Sequence, residues 1–390
     1  MKIALVTPYD WSYPGGVREH VRHLSEQLKL MGQDVRILAP ASGNKGQDLE
    51  ENVYKMGWTT PLPINGSLAR ISLNPYLGRM VRAVLQRERF DVIHIHEPLV
   101  PGLNLAVLRF SRALNVGTFH AFALPGVTST PYLAYASAQP FLRPYFNRLS
   151  GRIAVSSAAY NFASHYFPSD YRIIPNGIKL ERFQQKVFPL PALKDGKLNI
   201  LFVGRFEKRK GAKYLLRAIP LIRERYPDTR FIFVGEGSLR AGFQRFVERH
   251  GWQDVLFTGF VSDEELPRYF ASADVFCAPA TGGESMGIIL LEAMAAGVPV
   301  VASNIEGYAT VINHAENGLL ATPRDSAELA ATIGQVLKYE KLRQHLIETG
   351  LKSSQQYAWP FVARNVLNYY NELLDARGKL ATTSYNLGRA

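Results

Sequence analysis

Residues 273–303 read ADVFCAPATGGESMGIILLEAMAAGVPVVAS. An apolar run at 273–279 leads into two glycines and a carboxylate, then an apolar helical stretch, then a second β-branched run, PVVAS at 299–303. Strand, helix and strand in that order make one parallel crossover unit. The alternation continues upstream. LNILFVG (198–204), RFIFVG (230–235) and VLFTG (255–259) read as strands, with helical stretches from about 211, near 238–250 and near 263–271. Short apolar runs of this kind suit a parallel sheet covered by helices on both faces.

An earlier series has the same grammar. KIALVT (2–7) precedes a stripe of Val17, His20, Val21, Leu24, Leu28 and Met31 at helical spacing. Further strands read at 34–38, 91–96, 116–119 and 152–155, with helices near 75–88, 101–114, 132–148 and 157–167. NGIKLERFQQKVFPLPALKDGK (176–197), with its Asn-Gly pair and its prolines, reads as a linker between two doubly wound α/β domains. The expected domains are 1–175 and 176–357. A helix from YAWP (357–360) to about 375 is left over. Open parallel sheets bind ligands beyond the carboxyl ends of their strands, so the predicted site is a cleft between two such edges.

Composition narrows the class. The single cysteine, Cys277, rules out an intramolecular disulfide and favours a reducing compartment. MKIALVTPYD is too short in apolar residues for a signal segment, and no uninterrupted window of about 18 apolar residues occurs. Net charge is +12. From Arg70 to Arg152 there are ten arginines, no lysine, and only Glu88, Asp91 and Glu97 as acids, which leaves +7 in 83 residues. Such a patch suits phosphate groups, whether of nucleotides, anionic lipids or nucleic acid; a plain solvated basic surface is the other reading. No nucleic-acid motif accompanies it, so no nucleic-acid partner is expected.

Glu284 and Glu292 raise the question of a catalytic acid pair. Eight residues of helix would separate their backbones by roughly 12 Å. Glycosidase pairs need carboxyls about 6.5–9.5 Å or about 5 Å apart. The spacing instead suits a backbone cradle with two separate polar handles. Gly15-Gly16 follows the first strand and opens the first helix, where free amides face an anion; a tight turn is the alternative. The third glycine of a dinucleotide fingerprint is missing, and no GxxxxGK[ST] loop exists. GRFEKRKG (204–211) sets Arg205, Lys208, Arg209 and Lys210 at a sheet's carboxyl edge, as a phosphate clamp would require. His94 and His96 share one face of a covered strand and read as core histidines. His120 stands where its strand ends, within reach of a substrate.

Together, the GGV after the first strand, GRFEKRKG, and GGESMGIILLEAMAAGVPVVAS resemble the retaining glycosyltransferases of family 4, which have the GT-B fold. GRIAVS (151–156), HIHEP (94–98), LAPAS (38–42), NGSLAR (65–70) and LRPY (142–145) are similar to the phosphatidylinositol mannosyltransferases in particular. The resemblance covers nearly the whole chain. It implies two Rossmann-like domains, the leftover helix (358–390) crossing back to the first, and GDP-mannose as the donor. Gly16 would meet the donor diphosphate, and Arg205 and Lys210 would neutralise it as it leaves. Glu284 would hold the sugar, Ser285, Met286, Gly287, Ile288 and Ile289 would offer amides, and Glu292 would take the ribose. His120 would sit beside the reacting carbon, and Tyr9, Asn65 and Arg70 would face the acceptor. Arg79, Arg82, Arg87 and Arg89 would meet an anionic membrane at the inner face of the cell membrane. No Asp-x-Asp motif occurs, so no metal is expected. The relatives carry a polar run ending in lysine after the histidine, where this chain has AFALPG (121–126). A UDP- or ADP-sugar donor with another acceptor, and a sugar-nucleotide epimerase of the same fold, remain alternatives.

Overall fold

A computed structural model describes residues 1–13, 15–42, 50–64, 67–72, 74–122, 130–184 and 187–387. The chain divides into two compact units, Met1–Gly177 with Trp359–Ala390, and Ile178–Ala358.

In the first unit the strands are β1 (Lys2–Val6), β2 (Asp34–Ala39), β3 (Val53–Lys55), β4 (Thr60–Ile64), β5 (Ser67–Ile71), β6 (Val92–His96), β7 (Leu114–Phe119), β8 (Gly151–Ala154) and β9 (Arg172–Ile173). Seven of them form a sheet in the order β3-β2-β1-β6-β7-β8-β9, parallel at every printed pairing, while β4 and β5 make a separate antiparallel hairpin. Each face of the sheet has its own core. Ile3, Leu5, Val92 and Val116 point to one side, and Ala4, Val6, Ile93 and Ile95 to the other. This period of two places successive residues of every buried strand in opposite cores.

Helix α1 (Gly16–Leu30) buries Val21, Leu24 and Leu28, the predicted stripe. Against the same face lies the last helix, Trp359–Leu387, through Trp359, Val362, Ala363, Val366 and Tyr370. Helix α2 (Leu77–Glu88) and helix α3 (Leu103–Phe110) cover the opposite face.

The second unit holds β10 (Leu198–Val203), β11 (Thr229–Val234), β12 (Val255–Gly259), β13 (Val275–Ala278), β14 (Val300–Ser303) and β15 (Leu319–Ala321) in the order β12-β11-β10-β13-β14-β15. The stretch that opened the sequence reading is thus β13, a loop, the helix Ile288–Ala295, and β14. Two departures from expectation have simple causes. Residues 178–197 are no bare linker, because Ile178, Leu180, Phe183 and Leu193 are buried in the core of this unit. The hairpin β4–β5 escaped the sequence reading because Pro61 and Pro63 interrupt its first strand, and proline is scarce in strands outside edges.

The loop between β13 and its helix is clamped by close backbone packing. Gly287 takes φ +84° directly before the helix, and a Cβ there would meet the Tyr308 ring at 2.7 Å. Gly307 has no room for a side chain at all, since its Cβ would lie 1.8 Å from the carbonyl oxygen of Glu284. Gly307→Ala should therefore destabilise the protein by about 1–3 kcal/mol, read as a lower melting temperature, and should displace residue 284. A variant melting with the wild type would show that the loop yields freely.

Candidate functional site

Strand order reverses once in each sheet. In the second unit the reversal lies between β10 and β13, neighbours that share one edge of loops. Parallel crossovers leave in opposite directions at such a point, so the two loops separate and backbone groups are left open. The loop after β10 carries Arg205 to Lys210, and the loop after β13 carries Gly282 to Gly287. Thr281 N–H donates to the Arg209 carbonyl at 2.8 Å and ties them together.

Glu284 stands between these loops. Lys210 Nζ lies 2.9 Å from its Oε1, and Arg209 bonds the same oxygen. Arg209 also donates to the Gly283 carbonyl at 3.3 Å and pairs with Glu207. Arg205 is half exposed and pairs with Glu207 at 2.9 Å. The predicted Lys210 and Glu284 are thus brought into contact, while Arg209 joins them although the resemblance assigned it no role. A 3-10 turn at Lys208–Lys210 decides which of the four cations points inward, and cation spacing alone does not reveal that turn. The Met286 side chain is buried in the core, so position 286 can offer a ligand only its backbone. Ser285, Ile288 and Ile289 are half-buried around the helix start. Glu292 lies one turn further on. Burial pushes its carboxyl up to about 7, Asp263 adds to the rise and Arg182 opposes it.

The first unit repeats the logic without charge. Its reversal lies between β1 and β6. Beyond β1, α1 begins at Gly16 with no side chain capping it, and a Cβ at Gly15 or Gly16 would meet nothing within 4 Å. Open amides at the head of a fifteen-residue helix suit an anion. Beyond β7 stands His120, whose Nε2 is 3.0 Å from His96 Nδ1. His20 of α1 lies edge-on to it, ring centroids 4.8 Å apart.

His94 and His96 are buried as core histidines, and His94 is fully partnered. The Tyr370 hydroxyl lies 2.6 Å from its Nδ1 in a hydrogen bond, and its Nε2 meets the Thr118 hydroxyl. His96 is different, because its Nδ1 reaches His120 while its buried Nε2 has no hydrogen-bond partner among the described residues. Burial holds all four imidazoles below their ordinary range, His20 and His94 at about 3. His20, His96 and His120 bring a ring nitrogen each to within 4.8 Å of one another. Ligand nitrogens on a tetrahedral zinc stand about 3.4 Å apart, and no carboxylate joins the trio among the described residues. The arrangement reads as a neutral stack that fixes His120.

The acceptor-side residues fall on the first unit. Tyr9 bridges to Ile71 at the end of β5, and burial raises its hydroxyl far above the ordinary range. The Asp10 amide donates to the Arg70 carbonyl, and the Arg70 guanidinium lies 3.9 Å from the centroid of the Tyr13 ring. Asn65 lies outside the described residues, as do residues 123–126 of the AFALPG segment.

The helix α2 differs from an interfacial helix in one respect. Leu77 and Val81 are buried, and Met80, Val84 and Leu85 pack on the core, so its apolar stripe is already covered. Arg79, Arg82, Arg87 and Arg89 face outward, with Arg82 stacked on Phe110 and Arg87 paired to Glu88. A cavity of about 740 Å³ lined by Arg82, Arg89, Phe90, Phe110 and Arg112 opens at the amino ends of β6 and β7, away from His120. Among the described residues no helix is long and apolar enough to cross a membrane.

Residues 14–182 match the family described as Glycosyltransferase Family 4, and residues 184–353 match Glycosyl transferases group 1. The chain is 37% identical over 390 residues to a phosphatidyl-myo-inositol mannosyltransferase of Mycobacterium leprae, covering 98% of this chain and 100% of that one. A protein of the same name from Propionibacterium freudenreichii is 33% identical, with 95% and 94% covered. Among solved structures, sucrose-phosphate synthase from Thermosynechococcus elongatus superposes with TM-score 0.76 at 22% identity, over 96% of this chain and 100% of that one. Anabaena HepE in complex with UDP gives 0.75 at 20%, over 95% and 100%. These two carry the fold alone, GT-B. The near full-length likeness carries more: this chain is a glycosyltransferase and belongs to family 4, in the group of the phosphatidyl-myo-inositol mannosyltransferases.

Proposed function

We propose that this enzyme transfers mannose from GDP-mannose to a phosphatidylinositol-type lipid, with retention at the anomeric carbon and without a metal. The observation that carries the reading is the contact of Glu284 with Lys210 at the switch point of a sheet, in a chain so similar to mannosyltransferases. Lys210 and Arg205 take the donor diphosphate, and the head of the helix Ile288–Ala295 adds its partial positive charge. Glu284, freed from its cations, accepts hydrogen bonds from sugar hydroxyls, and Glu292 accepts from the ribose.

Negative charge grows on the diphosphate as the glycosidic bond breaks. Fixed cations and oriented amides stabilise that charge more in the transition state than in the ground state, which is what lowers the barrier. The acceptor hydroxyl enters on the face the diphosphate leaves, and the departing phosphate oxygen takes its proton. His120, neutral and held by His96, hydrogen-bonds the sugar beside the reacting carbon. Tyr9 and Arg70 face the acceptor, with Arg70 on its phosphate, and Gly16 offers its amide to the donor. With its apolar stripe buried, α2 would meet an anionic bilayer through charge, as a peripheral contact.

Three measurements test this reading. Glu284→Gln and His120→Ala should each cut transfer from GDP-mannose to phosphatidylinositol by about 100-fold or more; wild-type activity in both would remove these residues from the reaction. Transfer from UDP-glucose in place of GDP-mannose would overturn the donor.

Glu292 supplies a pH signature. Its folded pKa near 7 leaves it about one-tenth ionised at pH 6. GDP affinity should therefore tighten by about tenfold between pH 6 and 8, and Glu292→Gln should remove that part of the slope. A slope unchanged in the variant would place the titration elsewhere, for instance on the phosphates.

Arg79→Ala with Arg82→Ala should weaken sedimentation with phosphatidylserine vesicles by roughly 30-fold, at about 1 kcal/mol per arginine. Binding that ignores both substitutions and salt would rule out the charge-led contact.

A further inference from the structure

Glu97 follows β6 directly and is 3% exposed. Its carboxylate Oε1 accepts the His120 backbone N–H at 2.8 Å, and the Ala121 amide also donates to this carboxylate. Its own amide donates to the Thr118 carbonyl at 2.8 Å, while Asn104 of α3 donates to the carbonyls of both His96 and Glu97 at 2.8 Å. Glu97 therefore joins the end of β6 to the end of β7 in two ways, once through its backbone amide and once through a carboxylate that takes two amides.

The backbone of Glu97 lies at φ +52°, a region that side-chain-bearing residues rarely adopt. If only the turn mattered, glycine would serve better. A buried carboxylate is also costly unless its partners need it. Both costs fall on one residue, whose only described side-chain partners are the two amides at the root of His120.

We propose that Glu97 is a positioning residue, whose carboxylate grips the His120–Ala121 backbone and holds the His120 ring at its working position. This rests on the reading of His120 as the group beside the transferred sugar. His96 meets the ring at its Nε2 and the Asn176 side chain also bonds it, while Glu97 fixes the main chain that carries it. The titratable group that acts on the carboxylate is Tyr9, just beyond β1, and no cation acts on it among the described residues. Burial raises its carboxyl to about 7, against the downward pull of the two amides. The ionised form offers both oxygens as acceptors, so the grip is complete above that pH and weakens below it.

The test uses Glu97→Gln and Glu97→Gly in the full chain, each checked for a single cooperative melting transition. Glu97→Gly relieves the backbone and removes the grip. It should lower kcat about 100-fold, as a displacement of about 1 Å can, with little change in the donor KM. Glu97→Gln keeps one acceptor but cannot ionise, so it should retain more activity than the glycine variant and lose the fall in kcat that the wild type shows from pH 8 to 6. Because its folded pKa is raised, ionised Glu97 lowers stability as pH rises from about 4.5 to 7. Glu97→Gln should accordingly melt above the wild type at pH 8.

Amide hydrogen exchange of the peptide containing His120 and Ala121 gives a readout that needs no activity, and it should quicken about tenfold in Glu97→Gly. If the wild type transfers no sugar to any lipid, the functional reading fails while exchange still decides whether Glu97 grips the chain. A folded Glu97→Gly with wild-type kcat, or with unchanged exchange, overturns the proposal. So does a Glu97→Gln that keeps the full acid limb.

Discussion

Two parallel sheets, each buried on both faces, drive most polar groups to their edges. A strand covered by helices has little solvated side, so its side chains are mostly apolar and its backbone is consumed by its neighbours. A charge within a strand needs a partner, as Arg230 of β11 has in Asp195, so the loops beyond the strand ends are where charge gathers freely. Where the order reverses, between β1 and β6 and between β10 and β13, adjacent loops diverge and leave amides unclaimed. Gly16, Glu97 and His120 follow the strands of the first sheet, and Arg205, Lys210 and Glu284 those of the second. That constraint, more than any single contact, explains why polar residues so far apart in sequence gather at the strand ends of each unit.

The two edges solve the problem of burial in opposite ways. In the second unit Lys210, Arg209, Glu284 and Glu207 neutralise one another, so each charge keeps a partner in the resting protein. Removing one member would leave the others uncompensated, which makes the cluster sensitive to single substitutions. In the first unit the histidines are simply uncharged, and ring contacts with His20 and Trp359 replace ion pairs.

Much of this was legible in the residues. KIALVT, LNILFVG and RFIFVG are largely apolar because both faces of each strand are covered, and such runs are hard to mistake when they recur between helical stretches. Glu284 and Lys210 were marked by motif, and the structure joins them. Arg209 was not separable from its three cationic neighbours, because its direction depends on a turn whose geometry no periodicity encodes. Glu97 stood in view within HIHEP, yet nothing in a linear pattern says that its side chain bonds the chain 23 residues later. The apolar stripe of α2 packs on the core, which the sequence left open, since periodicity shows that a face is apolar and not what covers it. The hairpin β4–β5 was hidden by its prolines.

The first unit is discontinuous, and its final helix is no ornament. Trp359, Val362, Val366 and Tyr370 complete one of its two cores, and the Tyr370 hydroxyl satisfies His94 in the middle of the sheet. Until residue 370 has been made, that core lies open and a buried imidazole lacks its partner. The second unit is a single continuous stretch, so it has all its own residues earlier. On the ribosome, where domains fold as units, the order of completion is therefore reversed: the half that begins second is finished first, and the half carrying His120 closes only once Tyr370 has been made.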